Sequence, residues 1–143
     1  MKGDRIFLDT NVLIYAYDIS AGEKNKAAKK TVEELWGSGL GILSAQVLQE
    51  FYVCVTRKIQ RPLENKTARI IIKDFLSWEV VVNDGNAVLD AIDIQLKHKF
   101  SFWDSMIIAS AIRANADWLL SEDFADGLAL SGVKIHNPFL KKS

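Results

Sequence analysis

Apolar positions in this chain form two kinds of segment, short solid runs and stripes at helical spacing, and the two kinds alternate from one end to the other. The solid runs are Ile6-Phe7-Leu8, Leu40-Gly-Ile-Leu-Ser44, Trp78-Glu-Val-Val-Val82 and Trp118-Leu-Leu-Ser121 after a turn at Asn115. They are too short for helices and too apolar for surface loops, which predicts four strands, the first two of them buried. Val133-Lys-Ile135 predicts a last strand at an edge. Between the runs, Val12 to Tyr17 predicts a short buried helix, and Ala28, Val32 and Leu35 put a stripe on a helix over Asn25 to Trp36, ended by Gly37-Ser-Gly. Ser44 is placed to cap a helix over Ala45 to Ile59 with Val47, Leu48, Phe51, Val55 and Ile59 on one face. A helix capped by Asn65 buries Ala68, Ile71, Ile72, Phe75 and Leu76, and one after Asn83-Asp-Gly turns Val88, Ala91, Ile92 and Leu96 inward. The segment from Phe100 to Ile112 is apolar on most sides, as a buried helix is. Alternation of this kind, without repeats or low-complexity stretches, predicts a three-layer α/β/α sandwich around a central, mainly parallel sheet.

Composition bounds the picture. At 143 residues and 49% hydrophobic content, positions 1–143 fit one domain with a core that needs no staples. Eighteen basic and 18 acidic residues cancel, so a nucleic-acid partner has to be held by local patches and not by a bulk field. Cys54 has no second cysteine to pair with, and the start Met-Lys-Gly-Asp-Arg leads into a strand without a signal-peptide core, so the expected location is the cytoplasm. No apolar run approaches the ~20 residues that span a bilayer. His98 and His136 lack the Cys or His spacing of a zinc site and are expected to be surface or packing residues.

Four acids interrupt this pattern where chemistry is expected. Asp9 stops the first apolar run just before it resumes, at the strand end where open α/β sheets bind ligands; as a bare helix cap it would need no other role. Glu50 lies beside Phe51 at the border of an apolar stripe, where a carboxylate is costly unless paired or bound to a cation, although an exposed helix-face glutamate reads the same. Asp104 is the only acid of the buried helix and stands three residues after Ser101, which also suits a capping box built with Asp. Asp123 repeats the Asp9 arrangement after the fourth strand, with Asp126 as a rival in an apparent Asp-Gly turn. If the four converge on one sheet edge, their mutual repulsion calls for a hard divalent ion, and oxygen-only donors suit Mg²⁺ or Mn²⁺ better than zinc. Thr10, Asn11 and Ser121 are placed to hold ligands or a water by hydrogen bonds. Phosphodiester hydrolysis is the chemistry such a centre supports.

Other charges carry plainer readings. Lys24, Lys26, Lys29 and Lys30 cluster at the start of the second helix, as candidate RNA phosphate contacts or as a solvated face. Arg57, Lys58 and Arg61 suit a phosphate and a helix C-terminus equally well. Asp84, Asp90 and Asp93 read as a cap and outer-face charges, and Asp117 as a solvated residue at the opposite sheet edge.

Leu8-Asp9-Thr10-Asn11 with Tyr15-Ala-Tyr-Asp18, Ser44-Ala-Gln-Val-Leu-Gln-Glu50-Phe-Tyr, Phe102-Trp-Asp104-Ser and Leu119-Leu-Ser-Glu-Asp123 together resemble the PIN-domain family, particularly its VapC-type toxin ribonucleases. The resemblance covers nearly the whole chain in order. It implies Asp9, Glu50, Asp104 and Asp123 as metal-binding acids, with Asn11 and Ser121 in support, and it selects Asp123 over Asp126 because Ser-x-Asp matches the family. It further implies a homodimer, an RNA substrate and an antitoxin protein that blocks the site. A housekeeping RNA-processing role and a non-catalytic RNA-binding module remain alternatives. A haloacid-dehalogenase-type phosphotransferase fits less well, since its second aspartate would fall at Asn11, and a receiver domain lacks its paired acids and late lysine.

Overall fold

A computed structural model describes residues 1–140; the Lys141-Lys-Ser143 tail lies outside them. Six strands form one sheet, β1 (Ile6–Leu8), β2 (Gly41–Ser44), β3 (Glu79–Val81), β4 (Trp118–Leu120), β5 (Ala129–Leu130) and β6 (Val133–His136), in the order β3-β2-β1-β4-β6-β5. All neighbours are parallel except β5 and β6. The helices are α1 (Thr10–Tyr17), α2 (Glu23–Ser38), α3 (Ala45–Arg57), α4 (Asn65–Phe75), α5 (Gly85–His98) and α6 (Phe102–Arg113). The chain steps from β1 to β2 to β3 in one direction and then crosses back to β4. Right-handed crossovers therefore put α1 to α4 on one face of the sheet and the α5–α6 pair on the other. The expected sandwich is the observed one.

The reversal makes the gap between β1 and β4 a topological switch point, and the carboxyl ends of those strands flank a crevice. Both strands are buried on both faces, with Phe7, Leu8 and Leu119 fully enclosed. Their ends are consequently fixed in place before any polar residue follows. Phe51, at the centre of α3, packs edge to face with Tyr17 at 5.4 Å and anchors α1 against α3.

Several elements differ from the sequence expectation. Helix α2 runs through Gly37 and ends only at Gly39, whose left-handed backbone (φ 74°) supplies the stop. Asn65 is the first helical residue of α4 and not its cap; Glu64 holds that position without a side-chain bond. Leu76 lies past the helix and is exposed, as is Val82 beyond β3. Val133–His136 is an interior strand, because the two-residue β5, missed for its shortness, adds a further edge. The largest departure is α5. Ala87 and Ala91 face inward, whereas Val88, Ile92 and Leu96, expected inside, are exposed together with Leu89. Small residues permit close approach, and Ala91 meets Met106 and Ala109 of α6 where the larger side chains would hold the helices apart.

Gly41 has a specific steric reason. A Cβ there would stand 2.4 Å from the Trp78 ring, which is itself held by Phe75 at 4.9 Å and Trp36 at 5.3 Å. With the ring unable to retreat, Gly41→Ala is expected to destabilise the fold by about 1–3 kcal/mol, read as a lower urea midpoint at unchanged slope. An unchanged midpoint would show that the aromatic cluster yields.

Candidate functional site

The site assembles at the carboxyl ends of β1, β2 and β4. Asp9 follows β1 directly and is 3% exposed, its backbone N–H donating to the Leu120 carbonyl at 3.0 Å. It occupies the N-cap position of α1, but its Oδ1 accepts from the Thr10 N–H, at 2.7 Å, and not from the next turn as a capping carboxylate does. Oδ2 accepts from Ser121 Oγ at 2.6 Å. Asp9 is therefore held by neighbours across the crevice and does more than cap a helix.

Ser121 works in both directions. While donating to Asp9, its Oγ accepts from the Asp123 N–H at 3.0 Å, so one hydroxyl ties β1 to the turn after β4. Asp123 Oδ2 then accepts from Asn11 Nδ2 at 2.9 Å. Glu50, in the second turn of α3, is exposed and carries no burial cost, contrary to its expected place at the border of the core. Its Oε1 accepts from Thr10 Oγ1 at 2.8 Å, which joins it to the residue next to Asp9. Asp104 lies in the first turn of α6, where its N–H donates to Ser101 Oγ at 3.1 Å. That bond is half of a capping box, and the Asp104 charge reaches both Asp9 and Asp123. Asp126 is engaged elsewhere, with His136 Nδ1 at 3.1 Å and the Asn137 N–H at 2.8 Å.

The electrostatics record how crowded these acids are. Burial pushes Asp9 up from its ordinary 3.8 to about 7, against the lowering bonds from Ser121 and Thr10, and the charges of Asp123 and Asp104 add to the rise. Asp123 is raised as well, by desolvation first and then by Asp104, with Glu122 and Glu50 contributing. Asp104 thus acts on both, and Glu50 on Asp123. Asp9 and Asp123 are thus both raised by neighbouring carboxylate charge, and no cationic side chain is among the causes acting on either.

The donor set fits a hard divalent cation. Every polar group facing the crevice offers oxygen or an amide, and Asn11 Oδ1 is a buried acceptor without a hydrogen-bond partner. In the present side-chain positions, no three acid, histidine or cysteine groups among the described residues stand close enough to hold one ion together. Asp9, Glu50 and Asp123 each accept from a neutral donor, and their remaining lone pairs are left for a cation that draws the acids closer.

Of the basic candidates, Lys24 Nζ is paired with Glu122 at 2.9 Å and Lys26 with Glu23 at 3.5 Å. Lys29 and Lys30 are exposed on α2. Arg57, Lys58 and Arg61 lie at and beyond the far end of α3, roughly 10 Å or more along its axis from Glu50, and the structure does not bring them to the acids. Gln46 was not singled out by sequence reasoning. It lies one turn before Glu50, donates to Glu50 Oε1 at 3.4 Å and the Trp103 carbonyl at 3.3 Å, and keeps a buried, unpartnered Oε1. The i, i+4 spacing to Glu50 was the available signal. Tyr15 and Glu122 lie inside the stretches that carry the family resemblance, but no role for either follows from the sequence.

Comparison with known proteins bears on the family and the fold. A family model described as PIN domain matches residues 6–125. No curated protein matches the chain. Among solved structures, a chain of a toxin-antitoxin complex from Klebsiella pneumoniae is similar at TM-score 0.68 and 17% identity, covering 94% of this chain and 98% of that one. VapC20 of Mycobacterium tuberculosis, a sarcin-ricin loop cleaving toxin, is similar at TM-score 0.63 and 19% identity, with 80% and 86% covered. A chain of the promoter-DNA-bound VapBC2 of Rickettsia felis gives TM-score 0.66 at 17% identity, with 92% and 97% covered.

Proposed function

Since the chain belongs to the PIN-domain family, we propose that it is a divalent-metal-dependent endoribonuclease, one nuclease domain over residues 1–143, acting as the toxin of a toxin-antitoxin pair. The observation that supports this reading is the pair Asp9 and Asp123 at the switch-point crevice, joined through Ser121, with the charge of Asp104 acting on both and that of Glu50 on Asp123. These four acids would hold Mg²⁺ or Mn²⁺. A bound ion would supply an acidified water for in-line attack and offset charge developing on the scissile phosphate. Ser121 fixes the separation of the Asp9 and Asp123 segments, Thr10 holds Glu50 toward the crevice, and Asn11 orients Asp123 while presenting its free Oδ1.

Similarity to a sarcin-ricin loop cleaving toxin and to chains of VapBC complexes supports RNA as substrate and an antitoxin as partner. For a homodimer, the support is the unpartnered apolar face of α5, with Leu89 60% and Leu96 76% exposed. No helix among the described residues is long and apolar enough to cross a membrane. The test is cleavage of a mixed structured and single-stranded RNA pool with Mg²⁺, Mn²⁺ or EDTA. Binding of RNA without cutting under any metal would favour a binding module instead. An activity without a partner gene would favour housekeeping RNA processing.

Phosphate contacts are assigned by salt dependence. Replacing Lys29 and Lys30 by Gln is expected to reduce the slope of log affinity for single-stranded RNA against log salt by about 0.7 for each phosphate that is no longer neutralised. The same change at Arg57, Lys58 and Arg61 is expected to leave it nearly unaltered, given their place at the far end of α3. An equal reduction in both sets would return the α3 group to the interface.

A further inference from the structure

Three side chains outside the acid cluster meet beside it. Tyr15 Oη donates to Glu122 Oε1 at 2.5 Å, and Lys24 Nζ donates to Glu122 Oε2 at 2.9 Å while lying 3.5 Å from Tyr15 Oη. The ammonium sits 5.0 Å from the centre of the Tyr15 ring and 5.8 Å from that of Phe139. The two rings pack edge to face at 5.1 Å. Behind them the buried Asn25 Nδ2 donates to the Tyr15 carbonyl at 2.8 Å, which locks α2 to α1 at this level. Glu122 is the residue before Asp123.

We propose that Tyr15, Lys24 and Glu122 are positioning residues: they strap the turn after β4 to α1 and α2, and so set the place of Asp123 in the metal site. This rests on the metal-dependent reading above. Two adjacent carboxylates, Glu122 and Asp123, emerge from one turn opposite Asp104 and Glu50, and like charges drive such a turn toward solvent. Lys24 and the Tyr15 hydroxyl hold Glu122 on the α1–α2 side. Asp123 is left as the acid that faces the crevice, where Asn11 and Ser121 complete its hold. The strap does not depend on the ion pair alone, which is half-exposed and weak by itself. A phenol–carboxylate bond and two aromatic faces share the same ammonium and carboxylate, so the members act as a unit. Lys24 thereby commits one of its three donors to Glu122.

The test uses the whole chain carrying Tyr15→Phe, Lys24→Met or both, with Mn²⁺ binding measured by calorimetry in the absence of RNA. Support of this kind for a metal ligand is worth about tenfold in affinity or more. Each single variant is expected to weaken Mn²⁺ binding about tenfold, the double variant to be little worse than either, and Lys24→Arg to recover most of the loss. Hydrogen exchange of the Asp123 amide in metal-free protein is expected to quicken in Tyr15→Phe, a substitution that keeps the ring and its packing. Unchanged Mn²⁺ affinity in both variants overturns the proposal. So does an RNA affinity lowered in Lys24→Met alone, with Tyr15→Phe like the wild type, which would make Lys24 a phosphate contact. A wild-type chain that takes up no Mn²⁺ overturns the metal reading itself, and that result is seen before any variant is compared.

Discussion

Asp9→Asn is expected to lower metal-dependent RNA cleavage by at least ~10²–10³-fold, the scale on which single preorganised charge-stabilising groups act, while leaving the fold intact. The side chain is nearly isosteric. Its oxygen can still accept from the Thr10 N–H, and its amide can donate to Ser121 Oγ, whose proton is then free to turn elsewhere. What the variant loses is the charge of the one carboxylate that is buried at the switch point. The comparison is wild type against Asp9→Asn in Mg²⁺, Mn²⁺ and EDTA on one RNA pool, which also controls for contaminating nuclease. Cleavage undiminished in the variant would remove Asp9 from the chemistry and leave its burial unexplained.

The same carboxylate governs an expected pH dependence of stability. Asp9 titrates near 3.8 when exposed and at about 7 in the fold. A carboxyl raised by folding binds its proton more tightly in the native state, so it costs nothing below its unfolded value. Its penalty grows as pH rises from about 4 and is complete above about 7, at on the order of 4 kcal/mol. Asp123 is shifted in the same direction and acts with the same sign. Metal-free protein is therefore expected to lose stability between pH 4 and 7.5, on top of any contribution from other groups. Asp9→Asn should flatten that fall and be the more stable protein at pH 7.5 in EDTA. Mn²⁺ should recover stability in the wild type and do much less in the variant, because a ligand that binds only the native state stabilises it by mass action. Urea midpoints at pH 4.5, 6 and 7.5, with EDTA or Mn²⁺, measure this. A wild type and Asp9→Asn with parallel pH profiles would contradict it. The expected trade, stability lost for a poised functional group, is common in active sites.

Much of this architecture was legible without coordinates because its signals are local. Solid apolar runs mark β1, β2 and β4, and Ser44 and Ser101 cap α3 and α6 as their spacing indicates. The candidate acids were recognisable from context, a carboxylate directly after a buried strand or alone on a buried helix. Helix α5 was misjudged because its sequence offers two apolar faces, and periodicity alone does not say which one a neighbour will cover. The choice fell to Ala87 and Ala91, since α6 presents Met106 and Ala109 at a distance only small residues allow. The two-residue β5 was missed because pairing with β6 creates it, not any propensity of its own.

The chain by itself determined the order of strands and helices, the burial of β1 and β2, and the residue types that gather at the strand ends, since all of these follow from side-chain chemistry read over a few neighbouring positions. Only the tertiary structure decided the partners. The contacts of Asp9 with Ser121, of Asn11 with Asp123 and of Tyr15 with Glu122 each span more than 100 residues of chain. They exist because the return from β3 to β4 brings two distant strand ends side by side, and a hydrogen bond of about 3 Å depends on that register and not on separation in sequence.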